Sequence, residues 1–207
     1  MSYLKIAEHY DKCFKEHGDS NLGVDWPKHE DTLTRHQVMF DLIKPKETSH
    51  IVNSTLLDFG CGLGHFKEWM NQQTWFPNYS GLDINEGFYN ACKIKYPNLD
   101  FYHIDILKND NIPNFDYIVC NGTFTEKRDL SQEEMMDYFT SVIKKLWTKT
   151  NRGIAFNVMS KLVDWERDDL FHVSIDELGW FLKNNLSRNF TIRNDYGLYE
   201  YTAYVYK

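Results

Sequence analysis

The chain reads as an α/β fold, a mostly parallel sheet covered by helices on both faces. Three observations predict it. From residue 55 onward, apolar runs of strand length alternate with amphipathic helical runs, the pattern of parallel strands joined by crossover helices. The first of these strands, Leu56-Leu57-Asp58-Phe59, delivers three glycines at alternate positions, Gly60, Gly62 and Gly64. Glycine lets a backbone turn sharply and approach a ligand closely, because no Cβ intervenes. Nineteen residues beyond Gly64, the short strand Tyr79-Ser80-Gly81-Leu82-Asp83-Ile84 ends on another acid, placed to accept both hydroxyls of a ribose. Together these features describe a nucleoside-binding α/β domain.

The elements follow in order. Residues 1–28 read as a helical cover, closed by the turn-rich Gly18–Gly23 and by Trp26-Pro27. A helix is expected from about Asp31 to Ile43, with Leu33, Val38, Met39, Leu42 and Ile43 on one side and Pro45 as its stop. Strands are expected at about 55–59, 79–83 and 99–104, separated by helices at 64–73 and 86–95, the second closed by Pro97. Phe115–Cys120 is the fourth strand and about 153–158 the fifth, on either side of a long helix at 132–148. Ser131 with Glu134, and Ser174 with Glu177, each have capping-box spacing ahead of a helix. Two last runs, Phe190–Asn194 and Tyr199–Tyr206, are joined through Gly197 and predict an antiparallel hairpin. The expected organisation is one domain over 1–207, with 1–50 as cover or lid and 51–207 as core.

Composition narrows the function classes. The 207 residues are 42% hydrophobic, with 14 Phe, 13 Tyr and 6 Trp, enough for one well-packed core. A net charge of −7 and no Lys/Arg-rich run argue against nucleic acid as a partner. Apolar stretches are strand-sized, short of the roughly 20 residues that span a bilayer, and the first ten residues lack a signal-peptide core. Cys13, Cys61, Cys92 and Cys120 form no C-x-x-C, which reads as reduced thiols in a cytoplasmic protein. The scattered histidines predict no metal site.

The glycine spacing specifies the ligand further. A dinucleotide turn reads G-x-G-x-x-G and leaves a helix N-terminus free for pyrophosphate. Here the run is Asp58-x-Gly60-x-Gly62-x-Gly64. A carboxylate ahead of the glycines repels pyrophosphate and suits a ligand carrying an amine and a sulfonium, S-adenosylmethionine. With Asp83 and a third acidic strand end, Asp105, the chain resembles the class I S-adenosylmethionine-dependent methyltransferases.

That resemblance implies a Rossmann-like, seven-stranded, mostly parallel sheet with an antiparallel last strand. It also implies a cofactor set: Asp58 near the methionine end, Gly60, Cys61, Gly62 and Gly64 as the turn, Asp83 with Ile84 at the ribose, and Asp105 with Ile106 at the adenine. Asn121, after the fourth strand, would meet the cofactor's amino group, and Arg35, before the first, its carboxylate. Trp26 is expected either as part of a lid or as a core anchor. There is no Asn-Pro-Pro-Tyr or Asp-Pro-Pro-Tyr after Cys120, which lowers a nucleic-acid reading further.

Ala155–Ser160, Asp169–His172, Asn194–Tyr196 and Tyr199–Thr202 resemble small methyltransferases found with bacterial surface-polysaccharide genes. The acceptor that this implies is a small molecule, an oxygen of a sugar or nucleotide-linked intermediate. A protein methyltransferase and a non-catalytic partner subunit are the alternatives. Methylation of a hydroxyl benefits from a general base, for which His172, Glu126 and Asp195 are the candidates; an unprotonated amine would need none.

Overall fold

The computed structural model describes residues 3–43 and 53–207. In chain order the elements are α1 (Leu4–His17), a 3-10 turn (Leu22–Val24), α2 (His29–Phe40), β1 (Thr55–Phe59), α3 (His65–Met70), β2 (Asn78–Asp83), α4 (Glu86–Lys95), β3 (Asp100–His103), β4 (Phe115–Cys120), α5 (Gln132–Thr148), β5 (Thr150–Ser160), β6 (His172–Val173), α6 (Ile175–Asn185), β7 (Phe190–Arg193) and β8 (Glu200–Tyr206).

The sheet runs β3-β2-β1-β4-β5-β8-β7. β1 through β5 are mutually parallel, and β8 lies antiparallel to both β5 and β7. This seven-strand path with a reversed last strand matches the expected sheet. An eighth strand, the two-residue β6, adds itself parallel to the end of β5 at Met159 and Ser160. The strand order reverses between β1 and β4, both followed by turns at the same edge, and ligands of open α/β sheets bind at such a switch point.

Burial follows from the strand period of two. Leu57, Ile118 and Ile154 face α5 and α6, where Phe139, Val142, Leu146, Leu178 and Leu182 pack. Leu56, Val119 and Ala155 face the other way, against Val38 and Met39 of α2, Phe66 and Met70 of α3, and Cys92 of α4. Helices therefore cover both faces. Ser131 closes a complete capping box with Glu134 at the start of α5, and Ser174 accepts the Glu177 N–H at the start of α6.

Local departures are small and have causes. α2 stops at Phe40, and Asp41–Ile43 continue as turns. Leu33 is 40% exposed, away from the side that buries Val38 and Met39. Pro45 lies outside the described residues. α3 ends at Met70 rather than at residue 73, with Asn71–Gln73 as turns.

Candidate cofactor and acceptor site

A cavity of about 130 Å³ opens beyond the ends of β1, β2 and β4. The turn after β1 forms its floor. Gly60 sits at φ +74, and a Cβ there would lie 2.5 Å from Thr123 Oγ1, the hydroxyl that donates to the Phe59 carbonyl at 3.0 Å. Only glycine fits this close approach of the β1 and β4 turns. Cys61 and Gly62 continue along the cavity, whereas Gly64 is not among its bordering residues. A Cβ on Gly64 would instead meet Tyr96 and Cys92, so this glycine serves the packing of the turn on α4.

Three carboxylates border the cavity in the order of their strands. Asp83 Oδ2 accepts the Gly62 N–H at 2.9 Å and Oδ1 accepts the Asn85 N–H at 2.8 Å. Burial pushes its carboxyl up to about 6, against the pull of those two amides. Asp58 accepts the Tyr79 hydroxyl at 2.8 Å. Burial raises it further, to about 7, with Tyr79 opposing. Asp105 accepts the Leu107 N–H on Oδ1 and the Tyr3 hydroxyl on Oδ2 at 2.8 Å. Ile84, Asn85 and Ile106 stand beside these acids at the cavity wall.

Asn121 closes the β4 side. It is 8% exposed, and neither its Oδ1 nor its Nδ2 finds a partner among the described residues. A buried amide with both ends unpaired costs several kcal/mol, so a bound group has strong reason to be met here. The next residue, Gly122 (φ +74), carries the Trp26 indole on its Cα; a Cβ would fall 2.4 Å from Cζ2. Trp26 is thus a wall of the cavity, seated on the β4 turn.

Arg35 supports that wall from behind. Its guanidinium lies 5.2 Å from the Trp26 ring and grips Glu200 of β8 through Nε (2.9 Å) and Nη2 (2.8 Å). Glu200 accepts Asn157 Nδ2 at 2.7 Å, and Asn157 Oδ1 accepts the Gly122 N–H at 2.8 Å. The arginine expected at the cofactor carboxylate does not border the cavity. Through Glu200 and Asn157 it ties α2 to the β4 turn.

The candidate bases also lie elsewhere. His172 is in β6 rather than simply leading into the next helix, and is 3% exposed. Its Nδ1 pairs with the Ser160 carbonyl at 2.6 Å and its Nε2 accepts the Arg167 N–H at 3.3 Å. Both ring nitrogens hold backbone, away from the cavity. Glu126 pairs with Arg128 at 2.7 Å, and Asp195 is exposed and pairs with Arg193; neither borders the cavity. Arg128 also grips Asp25 and His9. Of the groups His9, Cys13 and Asp25, gathered within 4.8 Å of one another, His9 and Asp25 are therefore already engaged by a guanidinium, and Cys13 Sγ pairs with His9.

Sequence reading missed Tyr3, Ile6, Ala7 and Tyr10 of the α1 segment, Tyr138 of α5 and His36 of α2, all of which border the cavity. The first four recur at helical spacing, a stripe visible in the sequence. His36 carried no such signal, because α2 buries residues on more than one side.

Comparison with known proteins agrees with this geometry. Residues 32–166 match the model of the methyltransferase domain family. A candidate methyltransferase of Mycobacterium tuberculosis is 26% identical over 155 residues, 72% of this chain and 91% of that protein. Magnesium protoporphyrin IX methyltransferase of Synechocystis, solved with bound S-adenosylmethionine, superposes with a TM-score of 0.66 at 13% identity, covering 100% of this chain and 97% of that one. The 1,6-didemethyltoxoflavin-N1-methyltransferase of Burkholderia thailandensis, solved with its substrate and S-adenosylhomocysteine, gives 0.67 at 13% identity over 98% and 87%. The chain belongs to the methyltransferase domain family and has its Rossmann-like α/β fold.

Proposed function

We propose that this enzyme methylates a small-molecule acceptor, at an oxygen of a sugar or nucleotide-linked intermediate of surface-polysaccharide synthesis, and that the cavity beyond β1, β2 and β4 holds the cofactor. The observation that carries the placement is the series Asp58, Asp83 and Asp105 along one wall, behind a turn where Gly60 admits no Cβ. The unpaired Asn121 amide supports it independently. Support for the acceptor is the sequence resemblance of the β5–β8 segments.

The residues fit the cofactor. Asp83 keeps free lone pairs beyond its two amides for a ribose diol, and Asp105 with Ile106 would meet the adenine. Asp58, close to neutrality in its buried place, would ionise in favour of a cationic methionine end. Asn121 at the cofactor's amino group, Ile84 at the ribose and Cys61 in the turn would complete the set. When bound, S-adenosylmethionine would supply an electrophilic methyl carbon to an acceptor oxygen held in line with its carbon–sulfur bond, with S-adenosylhomocysteine as the leaving group and the hydroxyl proton passing to solvent. The protein's share is alignment and exclusion of water. Tyr10 and Trp26 wall the space in which an acceptor would be held. With His172 and Glu126 turned to other partners, the reading relies on alignment rather than on either as base.

The test is mass-spectrometric detection of S-adenosylhomocysteine formed from S-adenosylmethionine across nucleotide sugars, sugar phosphates and free nucleotides. Conversion of a nucleotide sugar supports the acceptor; conversion of none overturns it. Asp83→Ala should abolish S-adenosylhomocysteine binding while retaining the native far-UV spectrum. Unchanged affinity in that variant overturns the placement of the cofactor.

A further inference from the structure

α2 passes the cavity with two adjacent basic residues turned to different tasks. Arg35 faces Glu200. His36 borders the cavity and is 3% exposed, ringed by Trp26 at 6.0 Å, Phe66 at 5.4 Å and Trp69 at 6.0 Å between centroids. Its Nδ1 is buried with no hydrogen-bond partner among the described residues. A buried imidazole nitrogen left unpaired is costly unless a ligand completes it.

The ionisable groups that act on His36 are His65, Arg35 and His29, with Arg35 paired to Glu200 and His65 to Asp19. Burial first, and then these neighbours, hold the ring neutral, with its ordinary value driven down to about 3. A neutral N–H donor in a dry corner walled by aromatic rings is completed by a ligand's acceptor oxygen. The corner adjoins Trp26 and hence Gly122, on the side of the cavity away from Asp105, where the adenine is placed. The cofactor's far end carries an amine and a carboxylate. Asp58 suits the amine; with Arg35 held by Glu200, His36 offers the carboxylate a buried nitrogen that has no partner among the described residues.

We propose that His36 anchors the α-carboxylate of the cofactor's methionine tail, its imidazole N–H donating to a carboxylate oxygen. The inference rests on the cofactor placement above. It makes His36 a binding residue that separates the intact cofactor from forms lacking that carboxylate.

Isothermal titration of the full chain with S-adenosylhomocysteine and with its decarboxylated analogue, which keeps the amine, tests this directly. Wild type should favour S-adenosylhomocysteine. His36→Phe, which keeps an aromatic ring in the Trp26–Phe66–Trp69 setting, should lose at least ten-fold for S-adenosylhomocysteine and leave the analogue unchanged, so that the two affinities converge. His36→Gln, which restores a donor, should recover most of the difference. Equal loss of both ligands in His36→Phe would make the residue a packing element and overturn the proposal. Unchanged S-adenosylhomocysteine affinity would also overturn it and assign the corner to an anionic acceptor. Asp83→Ala in the same titrations should lose both ligands alike; if it keeps both, the nucleoside placement fails, whatever the His36 variants show.

Discussion

Asp83 holds two backbone amides, of Gly62 and Asn85, and so fixes the turn after β1 against the start of α4. A ribose would add two charge-assisted bonds, each worth about 1.5–3 kcal/mol. Those bonds need the ionised carboxylate, whereas burial has moved its titration up to about 6. The sign follows: below pH 6 a proton must leave before the diol binds, and above it none does. Affinity should therefore rise about five-fold between pH 5 and pH 6, reach about ten-fold by pH 7 to 8 and level off there. 5′-Methylthioadenosine is the probe to titrate, because it lacks the amino-acid tail and isolates the nucleoside half. A flat profile from pH 5 to 8 would show that Asp83 does not carry the diol. The strand-end positions of Asp83 and Asp105 were legible in the sequence, because a strand end followed by a turn is a local pattern. The company of Arg35 was not: Glu200 is 165 residues away, and only the folded sheet brings it there.

That pairing belongs to the scale of elements. β8 enters the sheet between β5 and β7, and this insertion carries Glu200, 1% exposed, to the back of α2. The chain Arg35–Glu200–Asn157–Gly122 then binds a helix, two strands and the β4 turn into one unit. Removing one partner of a buried pair leaves an uncompensated charge. Arg35→Met, which keeps the apolar length beside Trp26, should thus destabilise the fold by about 3 kcal/mol in urea unfolding. It should leave the affinity for 5′-methylthioadenosine unchanged, since Arg35 does not border the cavity. Unchanged stability would show the tie to be dispensable. Helices with capping signals were legible at their starts, as at Ser131, because capping is decided within one turn. β6 was not, since a two-residue strand is defined by its partner on β5 rather than by its own pattern.

At the scale of the molecule, the sheet and the α1 segment are held by unequal forces. α5 buries Met135, Phe139, Val142, Ile143 and Leu146 in the core, whereas the 14 residues of α1 bury only Ile6. The rest of its attachment is polar or only partly buried: Tyr3 stacked on Tyr138 with its hydroxyl on Asp105, the Ala7 carbonyl with Asn85, His9 with Arg128, Tyr10 against the core, and Phe14 edge-on to Phe88. The segment that follows is joined to the core by Trp26 on Gly122, by Asp19 with His65 and Lys95, and by Asp25 with Arg128, the last two being non-glycine residues at φ +55 and +50. Such conformations cost of order 1–3 kcal/mol each, which weakens this last join. Few buried apolar groups and a strained tie mean a low free energy of local opening. Yet Tyr3, Ile6, Ala7 and Tyr10 wall the cavity, and a ligand touching them would stabilise the closed arrangement by its own binding energy. Hydrogen exchange should accordingly be at least ten-fold faster in α1 than in α5 in the free protein, and saturating S-adenosylhomocysteine should slow α1 while leaving α5 unchanged. A rate in α1 that ignores the ligand would mean that this helix is a fixed wall, and that cofactor and acceptor enter past Trp26 instead.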